Sequence, residues 1–413
     1  MPGHLRHTLP KNLGIFKQHE PIVLGNFDDG LAWTEGPLWL DGRLIFSDPV
    51  EGSIWGVTQT SNEPALRRLR ENAGGCQGPT SALSDRVVLN RHEESLRLKH
   101  NFYCFAGQAE PGPNGHALEN STNGYPTGLL VEAQHGARRV IRRDRSSLEI
   151  IDVLASSYGG LPLNCPNDIA IHPIDHSIHF TDPYYCFLDT GANYPKGDRN
   201  YTQERSALGF AGVYRVKSPE RVGAADMARP ELLTTEISRP NGIQFEPKPM
   251  GQEAHADDAL SPQQHAMWVS ECCQGHAASC PKATARWHRY VPVGNNYTRV
   301  RTIEWARPGG GSGCADGFKF LPRPGRPSLL VGSCPLGVCV VDPSRPDEDA
   351  LVEYVDFGGF VVSNVAFGGD DLDHLYVTGS GHLWKLPLSE LAKEPPEPTP
   401  NEEHWSRAYK EEV

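Results

Sequence analysis

The sequence predicts an all-β protein, a six-bladed propeller, and three observations carry that prediction. The first is an internal repeat. Arg239-Pro-Asn-Gly-Ile-Gln-Phe245, Cys165-Pro-Asn-Asp-Ile-Ala-Ile171, Cys314-Ala-Asp-Gly-Phe-Lys-Phe320, Val362-Ser-Asn-Val-Ala-Phe367 and Glu35-Gly-Pro-Leu-Trp39 each set a short oxygen-bearing side chain just before alternating apolar residues. A turn and a second apolar run follow in each copy: Arg43 to Phe46, Ser177 to Phe180, Ala266 to Val269, Ser328 to Val331 and His374 to Val377. The second is composition. A hydrophobic share of 38% with 42 Gly and 35 Pro suits many short strands joined by turns better than long helices. The third is length: 413 residues exceed what one ordinary core supports but are normal for stacked repeats.

Taken in order, Pro21 to Phe27 reads as a strand with no local partner, so it is expected to complete a sheet formed by the far end of the chain. The first repeat spans Glu35 to Val57, with strands at Arg43 to Phe46 and Ser53 to Val57. The second is blurred. Asp85 to Asn90 and Leu96 to Phe105 read as strands, Gly107 to Asn123 as an inserted loop, and Gly128 to Ala133 with Arg138 to Arg142 as a pair around Gln134-His135-Gly136. The third repeat starts at Pro166 and ends at Gly212 to Val216, with an insertion from Phe187 to Gly209. The fourth starts at Pro240, interrupted at Lys248 to Gln264 and around Gly275 to Thr284. The fifth starts at Ala315, and the sixth runs from Ser363 to His382–Leu386. Residues 1–20 form an N-terminal extension, 21–388 the propeller, and 389–413 a tail rich in Glu, Pro and Lys. A pair of β-sandwiches is the rival architecture.

A net charge of -12 argues against a nucleic-acid surface, and no apolar run reaches the length of a bilayer span. The expected partner is a small molecule. The first twenty residues lack the apolar segment of a secretory signal, which points inside the cell. Ten Cys and three Asn-x-Thr sequons, at Asn120, Asn200 and Asn296, keep secretion open.

The innermost strand of each propeller blade lines the central channel, so repeats in register bring Glu35, Asn167, Asn241 and Asp316 to one mouth. Two carboxylates and two amide carbonyls form an all-oxygen set suited to a hard divalent cation: Ca²⁺ first, then Mg²⁺ or Mn²⁺, with Zn²⁺ behind. Asn-Gly, Asn-Asp and Asp-Gly are also plain turn formers. That reading would win for one copy; four copies at the same phase before an apolar strand weaken it.

Trp33-Thr-Glu-Gly-Pro-Leu-Trp39, Phe46-Ser-Asp48, Glu132-Ala-Gln-His-Gly136, Pro166-Asn-Asp168, Phe180-Thr-Asp-Pro-Tyr184, Pro240-Asn-Gly242, Ala315-Asp-Gly317 and Asn364-Val-Ala-Phe-Gly-Gly369 together resemble the gluconolactonase/senescence-marker-protein (regucalcin-like) family, in family order across nearly the whole chain. The resemblance implies a six-bladed propeller with one divalent metal in the channel and hydrolysis of a lactone. It implies that Glu35, Asn241 and Asp316 ligate the metal, with Asn167 beside it as ligand or substrate contact. Asp316 would also be the base for the attacking water, and His135, in the turn matching the family's second blade, is a second catalytic candidate.

The chain also departs from the pattern. Cys165 stands two positions before Asn167, where animal members carry an Arg, and the loops Gly107 to Asn123, Phe187 to Gly209 and Lys248 to Ala285 are long. Trp33, Tyr184, Tyr185 and Phe360, with Glu271, are expected around the mouth and suggest a bulky, less polar substrate. These departures keep a different enzyme class in view: a non-hydrolytic cyclase or isomerase of secondary metabolism, such as the hetero-Diels–Alderases ascribed to some fungal relatives. A non-catalytic metal-binding scaffold is a third reading.

Weaker signals remain. Cys272-Cys273-x-x-His276-x-x-x-Cys280 has the spacing of a zinc knuckle, with a disulfide or free thiols as alternatives. Cys334 and Cys339 flank a turn and read as buried thiols, pairing only in an oxidising compartment. Arg138, Arg139, Arg142 and Arg143 read as a solvated basic face. No Gly-x-Ser-x-Gly elbow or phosphate-cradling loop occurs, which disfavours serine-hydrolase and nucleotide-dependent chemistry.

Overall fold

The repeat resolves into six four-stranded antiparallel sheets arranged as blades around a channel. The computed structural model describes residues 12–60, 63–71, 73–74, 110–119, 129–187, 206–217, 229–247, 265–272, 284–294, 296–310, 313–323, 326–369, 371–389 and 392. Blade one is Glu35–Leu40, Arg43–Asp48, Ser53–Thr60 and Glu63–Arg70. Blade two is His116–Glu119, Leu129–Gln134, Arg139–Asp144 and Ile150–Ala155. Blade three is Ile169–Ile171, Ile178–Asp182, Gly212–Val216 and Glu231–Thr234. Blade four is Pro240–Phe245, Met267–Glu271, Thr284–Val293 and Asn296–Ala306. Blade five is Phe318–Arg323, Arg326–Cys334, Gly337–Val341 and Leu351–Asp356. Blade six is Asn364–Gly368, His374–Gly379 and His382–Pro387, and its outer strand is Ile22–Gly25 from the other end of the chain.

That last pairing closes the ring. Ile22 lies opposite Lys385 and Val23 opposite Trp384, as the partnerless N-terminal strand required. Lys17 N donates to Pro387 O at 3.0 Å and Ser389 N to Ile15 O at 2.8 Å, so the segments around Ile15 and Ser389 are stitched together beside this pairing. A short two-stranded ribbon, Ser157–Tyr158 with Leu161–Pro162, lies outside the blades; the six four-stranded sheets form a ring, which excludes the sandwich pair.

The six largest core clusters are wedges built by two neighbouring blades. Leu40, Ile45 and Ile54 of blade one meet Leu130 and Leu148 of blade two. Val131 and Val140 meet Ile169, Ile178 and Phe180; Val213 meets Ile243, Met267 and Val269; Trp268, Trp287 and Trp305 meet Phe318 and Phe320. Leu329, Val331 and Val338 pack on Val365, Phe367 and Leu375, and Trp39, Phe46 and Trp55 close against Tyr376 and Leu383. No blade can bury its faces alone, which is why the repeats specify a ring.

Blade two corrects the sequence reading. Residues 107–123 are not simply an inserted loop: His116–Glu119 is the innermost strand of this blade, pairing His116 with Glu132 and Glu119 with Leu129. The expected strands at Asp85 to Asn90 and Leu96 to Phe105 lie outside the described residues, as do most of the insertions after Phe187, Lys248 and Gly275, the first eleven residues and the tail beyond 392.

The basic patch is also corrected. Arg139, Arg142 and Arg143 are among the largest fully buried side chains and Arg138 is 8% exposed. Arg142 forks onto Glu119 (2.7 and 2.5 Å) and Arg143 onto Glu132 (2.8 and 2.8 Å). Arg138 Nε donates to the carbonyls of Leu163 and Asn164. Four charges on one strand pair signalled an outer face, but Glu119 and Glu132 hold Arg142 and Arg143 inside as fork-to-fork pairs, while carbonyls take Arg138 and Gln134 takes Arg139.

Candidate metal and substrate site at the channel mouth

Backbone and hydroxyl hydrogen bonds fix the entry of each inner strand against the next blade. Ser47 Oγ donates to Asn114 O (2.7 Å), Gly115 N to Asn167 O (2.8 Å), Thr181 Oγ1 to Asn241 O (2.6 Å) and Ser270 Oγ to Asp316 O (2.6 Å). Gly317 N donates to Ser363 O (2.7 Å), and Ser363 Oγ to Thr34 O (2.7 Å), completing the circuit. One ring therefore holds Glu35, Asn114, Asn167, Asn241, Asp316 and Ser363 at equivalent positions, one per blade. The approach is tight. A Cβ on Gly242 would lie 2.5 Å from Asp316 O, and one on Gly317 would lie 1.9 Å from the Asn364 side chain, so glycine follows the ring residue where blades touch.

Asn114 was not foreseen, although Pro113-Asn-Gly repeats the Pro-Asn pattern of Pro166-Asn-Asp and Pro240-Asn-Gly. The strand after it, His-Ala-Leu-Glu, lacks the apolar alternation that marked the other copies.

The ring is buried and acidic. Glu35, Asn167, Asn241 and Asp316 are 3%, 4%, 3% and 9% exposed. Burial, then the charges of Glu110 and Asp168, push the Glu35 carboxyl up to about 8, against weak pulls from Trp33 Nε1–H at 3.3 Å and Gly36 N–H at 3.3 Å. Burial, then Glu35, Asp168 and Glu110, hold Asp316 well above the usual carboxylate range. Asp168 is raised mainly by burial, and Lys319 opposes this. Its two oxygens accept Ile169 N at 2.9 Å and Ile243 N at 3.2 Å, so it braces blade three to blade four beneath the ring.

Two features fit a cation here. Glu35, Asp168 and Glu110 raise Asp316, and Glu110 and Asp168 raise Glu35, so carboxylates crowd a dry site. Asn241 Oδ1 is buried and accepts no hydrogen bond, an orphaned acceptor in a protein interior where such atoms are normally satisfied. The donors are all oxygen, so the residues present fit a hard divalent ion.

The mouth above the ring is aromatic and cationic. Asn241 Nδ2 lies 3.5 Å from the Tyr185 hydroxyl, and the Tyr185 ring stacks on His135 with centroids 6.4 Å apart. Tyr184 is buried, and its phenol is pushed up to about 12 by burial and Asp182, with Arg239 pulling it down. Arg239, two residues before Asn241 and 6% exposed, was missed by sequence reasoning. Phe360 is 39% exposed and tilts over His382 at 4.5 Å between ring centroids. Trp33 is held by its bond to Glu35. Glu271 is more fully engaged: Oε1 takes the amide and hydroxyl of Ser238, and Oε2 lies 3.3 Å from His288 and 3.4 Å from Arg286. Despite burial, these partners hold it down at about 2, and its oxygens are saturated within the protein.

The cysteines at the mouth are paired. Cys165 bonds Cys186, tying the entry of blade three to the 3₁₀ turn that carries Tyr185. Cys272 bonds Cys314, so Cys272 is not a zinc ligand; Cys273, His276 and Cys280 lie outside the described residues. Cys334 bonds Cys339, where buried thiols were expected. His135 and the sulfurs of Cys165 and Cys186 lie within 4.8 Å of one another, but the sulfurs are bonded to each other and offer no thiolate. Cys314 stands two residues before Asp316 and closes a 42-residue span. The double variant Cys272→Ser/Cys314→Ser should lose about 2–4 kcal/mol of unfolding free energy, read from guanidinium unfolding without reductant.

The sequence matches no protein-family model and no curated protein. Solved structures do match. A protein ascribed to the gluconolactonases aligns over 94% of this chain and 98% of its own, at 22% identity and a TM-score of 0.58. A gluconolactonase from Xanthomonas campestris aligns over 94% and 99%, at 20% identity and 0.54. A luciferin-regenerating enzyme aligns over 89% and 95%, at 14% identity and 0.51. At these identities the likeness is one of fold, and function is argued from the site.

Proposed function

We propose that the protein is a divalent-metal-dependent hydrolase that opens a lactone at the channel mouth. The observation that carries this is the unsatisfied Asn241 Oδ1 together with two buried carboxylates, Glu35 and Asp316, that are both raised. Glu35, Asn241 and Asp316 would hold the cation, Ca²⁺ before Mg²⁺ or Mn²⁺, with Asn167 as a fourth oxygen or a substrate contact. When bound, such an ion would supply Lewis-acid polarisation of an ester carbonyl and positive charge against the crowded carboxylates.

The chain's own residues supply the rest. Asp316, once its charge is compensated, accepts the proton of the attacking water. Trp33 orients Glu35 through its indole N–H. Tyr185, stacked on His135 and hydrogen-bonded by Asn241, closes one side of the mouth and limits water to what the ring admits. The gluconolactonase names of two structural neighbours support the same substrate class. The aromatic residues Trp33, Tyr184 and Tyr185 at the mouth favour a lactone bulkier than a simple sugar lactone.

The test is acid release followed by pH-stat from gluconolactone, δ-valerolactone and dihydrocoumarin, using Ca²⁺-loaded and chelator-stripped protein. Metal-dependent release from at least one of them is the expected result. Bound Ca²⁺ with no release from any lactone would sink the hydrolase and favour the cyclase, for which the aromatic mouth is the supporting observation.

A further inference from the structure

His135 is fully buried in the turn between the second and third strands of blade two, and its tautomer can be deduced. Nδ1 lies 3.1 Å from Pro166 O, and a carbonyl only accepts, so Nδ1 carries a proton. In a neutral ring Nε2 is then a bare lone pair, yet it lies 3.0 Å from Glu110 Oε2. Two acceptors do not rest at that separation, so the pair holds a proton, in an ion-pair contact rather than an aligned hydrogen bond.

Glu110 stands where that proton is useful. Its side chain is 20% exposed, and its charge acts on both Glu35 and Asp316, so it spans from the ring to solvent. The other charged or titratable groups facing the pair are Tyr185, stacked on the imidazole, and Asp182, whose carboxyl feels His135. The Cys165–Cys186 bridge fixes the imidazole from the side.

We propose that Glu110 and His135 together are the proton donor to the leaving oxygen when a lactone ring opens at this mouth. The inference rests on the lactone-opening reading and adds Glu110 to its residues. Water adds to the acyl carbon while Asp316 takes its proton. The bond between the acyl carbon and the ring oxygen then breaks. The ring oxygen leaves with the electron pair and takes the proton held by the pair, giving the hydroxyl of a hydroxy acid. The pair regains a proton from solvent through exposed Glu110, and Asp316 releases its own with the product.

The experiment compares leaving groups on Ca²⁺-loaded protein. δ-Valerolactone must expel an alkoxide, which needs a proton; dihydrocoumarin expels a phenoxide, which leaves without one. In Glu110→Gln, kcat should fall by about 10²-fold on δ-valerolactone but by less than about tenfold on dihydrocoumarin. His135→Gln should show the same split, which keeps the test alive if one variant folds poorly. Equal losses on both lactones mean a merely structural role and overturn the proposal. Two-bond proton–nitrogen spectra of histidine-labelled wild type give a readout independent of turnover. An Nε2 that shares a proton supports the pair, and a bare Nε2 overturns it. A wild type that opens neither lactone while Nε2 shares its proton defeats the functional reading, and the leaving-group role with it, but not the shared proton.

Discussion

Stripped of metal, the protein should lose stability as pH rises from about 5 to about 8, and Asp316→Asn should remove much of that loss. The sign follows from the ring. Glu35 titrates near 8 in the fold against an ordinary 4.5, and Asp316 is raised as well. A folded-state value above the unfolded one means that the native protein binds more protons between those limits. The folded state is then favoured below the ordinary carboxylate value and penalised as pH climbs through the folded one. Asn at position 316 removes the buried, raised carboxyl and its own penalty, so in chelator at pH 8 the variant should be more stable than wild type by at least about 1.4 kcal/mol, the worth of one pKa unit. Calcium should reverse the order. At a hundredfold excess over Kd the wild type should gain about 2.7 kcal/mol and the variant little. Activity of the loaded variant should fall by about 10³-fold, as expected when both a metal ligand and a base are lost. Guanidinium unfolding across pH, with and without chelator, checks the stabilities. A metal-free profile that is flat from pH 5 to 8 would show that the ring carries no frustrated charge.

The ring was legible because its physics repeats. An oxygen-bearing residue followed by an alternating strand recurs at five of the six entries to the channel, and glycine is required where the next blade leaves no room for a Cβ. Closure by the first strand was legible too, since a lone strand must find an edge. What stayed hidden depends on partners far apart in sequence. Asn114 carries the right dipeptide, but its strand ends in Glu119, which faces Arg142 rather than a hydrophobic neighbour. Glu110 becomes interesting only because it meets His135 in space. Arg239 shares the position of Cys165 and Cys314 two residues ahead of the ring, a correspondence visible once the blades are superposed on their ring residues. The disulfides could not be read from spacing, because Cys272 had Cys273 and Cys280 as nearer partners than Cys314.

The buried arginines yield the largest stability effect. Arg143 is fully buried; it forks onto Glu132, donates to Leu148 O at 2.8 Å and also reaches Ala73 O. Burial would raise Glu132, but Arg143 and His116 outweigh it and hold the carboxyl near 2. Arg143→Met strands that carboxylate in a dry interior with only His116 at 3.4 Å, and should cost about 3–5 kcal/mol at pH 7. Were the patch a solvated face, the cost would stay within about 0.5 kcal/mol, so one unfolding curve separates the two pictures. The pH dependence provides a second check. A depressed carboxylate stabilises above its ordinary value and is lost as pH falls toward the folded one, so wild type should weaken between about 4.5 and about 2. In Arg143→Met that acid limb should shrink. The double variant Arg143→Met/Glu132→Gln should recover much of the loss, because the penalty lies in the unpaired charge and not in the missing pair. Gln134 and Arg139, bonded at 2.5 Å, bracket the turn that carries His135, so the same buried layer sets how firmly that imidazole faces Glu110. An Arg143 variant that keeps its fold should therefore lose turnover on δ-valerolactone more than on dihydrocoumarin, in the same sense as Glu110→Gln but by a smaller factor.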